Sequence, residues 1–227
     1  MVSLLANIGI IFMAMYIYLR FKSGLPNQDK TKVSDLIRCT LFEVLLGIVL
    51  LSFSTVILGI RYDFRVLLFV FSAKYMNWKI TSSSILLLGI IRFVWGSNDI
   101  AQINLIVSVL MAVTLPVIVN YTNGRLNDLT QLLVLVTYSL CPAILLTNHM
   151  IADKSLVLSI SLILFASGYA ATFFMHYFIS DLNSLIVSAN TDHLTALKNV
   201  RTFNNDLMGV EWVRNPVTLA VIDIDYF

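Results

Sequence analysis

Long stretches of this chain carry little or no charge, and most are close to the length of a helix that crosses a bilayer. Such a helix needs roughly 20 mainly apolar residues, because the hydrocarbon layer is about 30 Å thick and each residue rises about 1.5 Å. The runs fall at roughly residues 2–19, 40–60, 64–78, 80–96, 101–121, 129–148 and 156–179. Charged residues make up 12% of the chain and hydrophobic ones 58%, about half the charged share of an ordinary soluble domain. Hiding that apolar surface from water would need a larger core than 227 residues build, and a bilayer removes the need. The expected fold over residues 1–180 is an all-α polytopic membrane bundle of about seven spans, with six as the alternative. The third run is interrupted at Lys74, so that span is expected to be short, tilted or partly re-entrant.

The first run is followed by Arg20 and Lys22 instead of being preceded by positive charge, and no small-x-small cleavage site follows it. A cleaved signal peptide has the opposite layout, so this run reads as an uncleaved first span. A formal net charge of +2 gives no argument for nucleic acid as a partner; the expected surroundings are membrane lipid. Cys39 and Cys141 show no CxxC or Cys/His spacing, which points to small packing residues and away from a disulfide framework or zinc site.

Basic residues set the orientation, since they concentrate on the cytoplasmic side. The connector after the first run holds Arg20, Lys22, Lys30, Lys32 and Arg38. With seven spans, the other inner turns hold Lys74, Lys79 and Arg125, and the outer turns Arg61, Arg65 and Lys154. Eight basic residues inside against three outside put the N-terminus outside and the C-terminal segment in the cytoplasm. The expected location is a bacterial cell membrane.

Two ionisable residues lie within runs. Glu43 is near one end of the second and Arg92 is inside the fourth. A basic group at the bilayer centre costs about 2.5–3.5 kcal/mol to insert. Arg92 is therefore expected to face the bundle and pair with Glu43 as an intramembrane polar site, or else to snorkel to the interface. Arg61, Asp63 and Arg65, in GIRYDFR, form a second cluster at an outer helix start, with an interfacial anchor as its plain reading. Ser167 with Ala171, and Ala166 with Ala170, have the small-xxx-small spacing of close helix contacts.

After the last run, Leu182, Leu185, Ile186 and Ala189 fall at helical spacing. Residues 181–191 read as a helical signalling linker, either a short coiled coil in a dimer or an amphipathic turn packed on the downstream domain. Asp192 is placed to cap the next helix, with Thr195 as the alternative. Leu194, Leu197, Val200 or Arg201, Phe203 and Leu207 trace its apolar face. Val217 to Ile222 is a β-rich run ending in Asp223 and Asp225. This suits a buried strand with two acids at its carboxyl end, where ligands of α/β sheets sit. Such a pair could hold Mg²⁺ or simply be solvated.

DHLTALKNVRTF resembles the opening signature of GGDEF domains through Asp192, Leu194, Thr195, Leu197, Asn199, Arg201 and Phe203, while Ala196 and Val200 depart from it. LAVIDIDYF resembles the first strand of that family and its D-I-D-x-F stretch. The stretch from GIRYDFR through Arg92 is similar to the Lyt-type five-transmembrane receptor region that often precedes GGDEF domains. The resemblance implies that residues 192–227 are the first helix and first strand of a truncated α/β GGDEF domain. It implies a parent diguanylate cyclase, joining two GTP molecules into cyclic di-GMP within a homodimer. It also implies Mg²⁺ held by Asp223 and the backbone carbonyl of Ile224, with the backbone amides of Tyr226 and Phe227 near the substrate phosphates.

The GGDEF loop itself would lie beyond Phe227, so this stretch is expected to contain no catalytic residue and to make no cyclic di-GMP. Thirty-six residues are also fewer than the roughly 40 that usually fold without a metal or disulfide. Two other readings fit the sequence: a membrane receptor with a degenerate, non-catalytic GGDEF-like domain, and a transporter-like membrane protein.

Overall fold

The computed structural model describes residues 2–22, 33–96, 98–192, 194–195 and 197–208. In chain order these form α1 (Val2–Lys22), α2 (Val33–Ser52), β1 (Thr55–Ile57), β2 (Ile60–Tyr62), α3 (Arg65–Tyr75), α4 (Trp78–Trp95), α5 (Asp99–Thr122), α6 (Asp128–Met150), α7 (Lys154–Asn190) and α8 (Val200–Met208). The chain divides into two units, Met1–Asn183 and Ser184–Phe227.

In the first unit, short polar side chains set where helices begin. Asn77, Asn98 and Asn127 each turn a side-chain oxygen onto an amide of the following turn, Lys79, Ala101 and Thr130 respectively. Asp153 does the same for Ser155 and Leu156 at the start of α7. These bonds satisfy amides that a helix start otherwise leaves without partners.

Five helices, α1, α4, α5, α6 and α7, are long and apolar enough to cross a membrane. Their outward surfaces match that environment. On α5, Ile106, Leu110, Val113 and Val117 all stand exposed, a stripe at helical spacing that water would not tolerate and lipid accepts. Long apolar helices with apolar exteriors point to a multi-pass membrane protein.

The second run differs from its sequence expectation. Its helix starts earlier, at Val33, and ends at Ser52, and residues 55–62 turn back as a hairpin. Thr55, Val56 and Ile57 are β-branched and favour extended backbone, pairing antiparallel with Ile60–Tyr62. The two turn residues, Leu58 and Gly59, have φ of 48° and 83°, the left-handed pair of a type I′ turn, where the second position suits glycine. The third run is also shorter than its apolar stretch. At 11 residues, α3 measures about 16 Å.

That short helix is the centre of the first unit. Leu67 to Ala73 are buried without a break, and α3 packs against α2, α4, α5 and α6. A helix apolar on every side belongs in the middle of a bundle. Its ends are tied to opposite ends of α6. The Tyr62 hydroxyl meets that of Thr147 at 2.7 Å, and the Lys74 ammonium pairs with Asp128 at 2.7 Å.

Helices approach closely where glycine allows it. A Cβ at Gly47 on α2 would come within 2.3 Å of Leu88 Cδ1 on α4, and Leu88 is fully buried. On α5, Pro116 cannot bond to the Ala112 carbonyl one turn back, and the Ser82 hydroxyl of α4 takes that carbonyl at 2.7 Å. On α7, Ala171 lies on the buried face and Ala166 and Ala170 on the exposed one. Gly47→Ala is expected to lower stability by about 1–3 kcal/mol through overpacking. Gly9→Ala, where nothing lies within 4 Å, should leave thermal unfolding in detergent unchanged or slightly raised.

Candidate functional site

Polar groups inside the first unit gather at three places. The first lies beneath the hairpin. Asn7 of α1 is fully buried. Its amide nitrogen donates to the carbonyls of Ser3 and Phe53 at 3.0 Å each, and its oxygen accepts the Phe64 amide at 3.2 Å. One side chain thus joins α1 to both flanks of the hairpin. Asp63 accepts from the Arg65 guanidinium at 2.8 Å and from the Arg65 amide at 3.1 Å. Both side chains are largely buried, at 5% and 14% exposed.

Beside this pair is a cavity of about 90 Å³, lined by Arg61, Asp63, Arg65, Asn104, Ser108 and Ser139 among others. Arg92 of α4 is buried, and its charged neighbours are Arg61, Arg65 and Asp63. Three guanidinium groups thus stand against one carboxylate. The Arg92 Nε and the buried Ser139 hydroxyl have no hydrogen-bond partner among the described residues. A buried donor without an acceptor is unfavourable, so the arrangement is one that an added acceptor would complete.

The second place surrounds Glu43. Its Oε2 accepts from the Ser72 hydroxyl at 2.8 Å, and Ser72 shares a second hydrogen bond of 2.8 Å with Thr81. Glu43 and Arg92 are both buried, as the sequence suggests, yet they do not pair. Among the described residues the ion pairs are Asp63–Arg65, Lys74–Asp128 and Lys198–Asp206. On α4, Ser84 faces Glu43 and Thr81 meets Ser72, and Arg92 lies two helical turns beyond Ser84, about 12 Å along the axis.

The third place is at the other end of α3. Lys74 donates to Asp128 and to the Gln131 side-chain oxygen. Gln131, itself buried, donates to the Val119 carbonyl at 3.0 Å and the Thr122 hydroxyl at 2.7 Å. Sequence reasoning passed over Asn7, Ser72, Gln131 and Ser139. The available signal was a lone polar residue inside a charge-free run, which in lipid needs a partner within the protein.

The second unit carries the motif residues. Asp192 does not cap the next helix. Its oxygen accepts the amides of Leu194 and Thr195 at 3.2 and 3.0 Å and the Thr195 hydroxyl at 3.0 Å, while its own amide donates to the Leu197 carbonyl at 2.8 Å. This closes a turn across the Thr191–Lys198 bridge. Asn199 caps α8 through the Thr202 amide at 3.0 Å. It also donates to the Asn190 and Ala189 carbonyls at the end of α7. The helix therefore begins at Val200, later than expected, because Asp192 is satisfied locally and Asn199 is the side chain that reaches the first turn. Leu194, Leu197, Val200, Arg201 and Phe203 stand exposed. Asp223, Ile224, Tyr226 and Phe227 lie outside the described residues, and no cluster of metal-ligating side chains occurs among the described ones.

Hydrogen bonds from Thr195, through its amide and hydroxyl, hold the Asp192 carboxyl below its ordinary pKa of 3.8. A lowered carboxylate pKa favours the turn above the ordinary value, and the benefit is lost as pH falls through the lowered one. Protection of the Thr195 amide from exchange should accordingly weaken at acid pH in the wild type and be weak at every pH in Asp192→Ala. No protein-family model matches this chain, and no curated protein and no solved structure matches it.

Proposed function

We propose that this chain is the N-terminal part of a membrane-bound signalling protein whose intact form is a diguanylate cyclase. In this reading the bundle is the sensor and residues 192–227 begin a GGDEF domain. The observation that carries it is the turn after α7. The polar motif residues Asp192, Thr195 and Asn199 make the hydrogen bonds that build that turn and start α8. The apolar motif residues Leu194 and Leu197, 82% and 69% exposed, are read as the surface that the remainder of the domain covers.

The bundle is read as seven passes. Five helices qualify by length and composition. α2 is of spanning length at 20 residues, about 30 Å, although it carries Asp35, Arg38 and Glu43. The segment from Tyr62 to Lys74 runs alongside α6 between its two ends, so the hairpin strand completes the pass that α3 is too short to make alone. Backbone that is not helical is acceptable at that depth when protein surrounds it. An odd number of passes, with the basic residues on the inner turns, supports an outer N-terminus and a cytoplasmic tail.

The cavity beneath the hairpin is the sensing site in this account, and its chemistry suits a small anion. Arg61, Arg65 and Ser139 line it, and a carboxylate of modest size could accept from Ser139 and an arginine there while offsetting the positive charge that Arg92 adds nearby. Such a ligand shifts the bundle only by binding one arrangement better than another. In the intact protein, Mg²⁺ at Asp223 and the Ile224 carbonyl and GTP near Tyr226 and Phe227 rest on the resemblance alone. A second reading, a degenerate domain that binds without catalysing, is favoured by Ala196 and Val200, which depart from the motif.

The test is cyclic di-GMP formation from GTP and Mg²⁺ by the full-length membrane protein, read by nucleotide chromatography. We expect product from the full-length protein and none from the 227-residue chain. Arg92→Gln should change output about fivefold or more, the usual lower range of coupling between sites. No product from the full-length protein favours the degenerate domain, and product from the shorter chain contradicts the proposal.

A further inference from the structure

Glu43 is unlike the other acids of the bundle. It is 2% exposed, lies midway along α2, and belongs to none of the ion pairs among the described residues. Its hydrogen bonds run one way: Ser72 donates to Oε2, and Thr81 stands behind Ser72. Among the described residues Oε1 has no partner, and the Ser84 hydroxyl, facing the same carboxyl, has none either. The carboxyl also lines a cavity of about 30 Å³, the room one water takes. The walls of that cavity are otherwise apolar side chains, with Tyr18, Ser72 and Tyr75 as the polar exceptions.

Among the described side chains, none that is cationic faces this group. From α1 the titratable neighbour is Tyr18, which also faces Cys39 and, farther along, Asp35 of α2. From α3 it is Tyr75, across the cavity, and α4 contributes only the hydroxyls of Thr81 and Ser84. Lys74, on the helix that carries Ser72, is engaged by Asp128 and Gln131. A carboxylate anion here would be buried without a counter-ion, the least favourable state for such a group. A neutral carboxyl has a hydroxyl to give, and the two atoms without partners, Oε1 and Ser84 Oγ, are the donor and acceptor that state requires. With the proton in place, α2, α3 and α4 are joined through one chain of hydroxyls.

We propose that Glu43 is a proton-binding site inside the membrane bundle, whose protonated form fastens α2 to α3 and α4 through Ser72, Thr81 and Ser84. Ionic residues within membrane segments mark proton or ion sites in general. The proposal does not depend on the tail being a cyclase. Loss of the proton leaves an anion that needs water or a cation, and α2 can supply that only by moving away from α4. The latched state is therefore favoured at low pH and weakens as pH rises.

The experiment uses the purified chain in liposomes and the apolar reagent dicyclohexylcarbodiimide. A protonated carboxyl adds across one C=N bond of the reagent: its proton goes to nitrogen and its oxygen to the central carbon. The acyl group then migrates to nitrogen, leaving a stable adduct with no leaving group. We expect one reagent mass on the peptide containing Glu43, formed about tenfold more slowly for each pH unit above the midpoint, and equally in sodium or choline chloride. Glu43→Gln should abolish the adduct. Because its amide can still accept from Ser72, it should also unfold at a temperature that no longer falls as pH rises. Absence of the adduct from the wild-type chain, a rate independent of pH, or protection by sodium would each overturn the proposal, the last in favour of a sodium site.

Discussion

Lipid offers no hydrogen bonds, so a polar group inside a membrane bundle must find its partner within the protein, and here the partners converge on the shortest helix of the first unit. α3 is buried on every side and is held at both ends by α6, through Tyr62 with Thr147 and Lys74 with Asp128. Around this strut, α4 packs on α2 and α5, with glycines at the tightest approaches. Gly47 faces Leu88, and Gly89 faces Ser108. A helix this short cannot reach across hydrocarbon by itself. In the proposed seven-pass reading the hairpin before it supplies the missing height, and Asn7 satisfies the backbone on either side of that hairpin.

The same strut links the polar places. Arg65, which lines the cavity with Arg61, and Ser72, bonded to Glu43, are on one helix seven residues apart, about 10 Å along its axis. A small anion taken up by the arginines and a proton taken up by Glu43 would both bias how α2, α4 and α6 sit against α3. Two such inputs acting on one buried element are coupled through it if each favours a particular arrangement. If the proposed ligand and proton bind there, the bundle would have a physical route from ligand to packing without any contact between the two sites.

The membrane character of the chain was legible because lipid rewards uninterrupted apolar length, and α1 and α4 to α7 follow the apolar runs closely. The third run is short, as its break at Lys74 suggests, whereas the second misled because hydropathy cannot distinguish an apolar strand from an apolar helix. Thr55–Ile57 looks like membrane helix by composition, and only β-branching and the Leu58–Gly59 turn betray the hairpin. Asn77, Asn98, Asn127 and Asp153 mark helix starts that a reading by charge alone overlooks. Burial of Glu43 and Arg92 followed from their cost in lipid. Their pairing did not, because that depends on helical level: Arg92 lies near the end of α4 beside the hairpin, and Glu43 meets the middle of α3. In the second unit the expected cap, Asp192, closes a turn instead, and Asn199 caps α8. Asp192 and Asn199 are both competent caps, and only the geometry of the turn decides between them.

The central claim is an odd number of passes, with α3 and its hairpin strand counted as one, so that the two ends of the chain face opposite sides. Single cysteines at Ser3 and at Thr195, in a chain with Cys39 and Cys141 replaced by serine, can be probed with a membrane-impermeant maleimide on sealed cells and on inside-out vesicles. The account predicts that Ser3→Cys is labelled on cells and Thr195→Cys only on inverted vesicles. Labelling of both from the same side would contradict it.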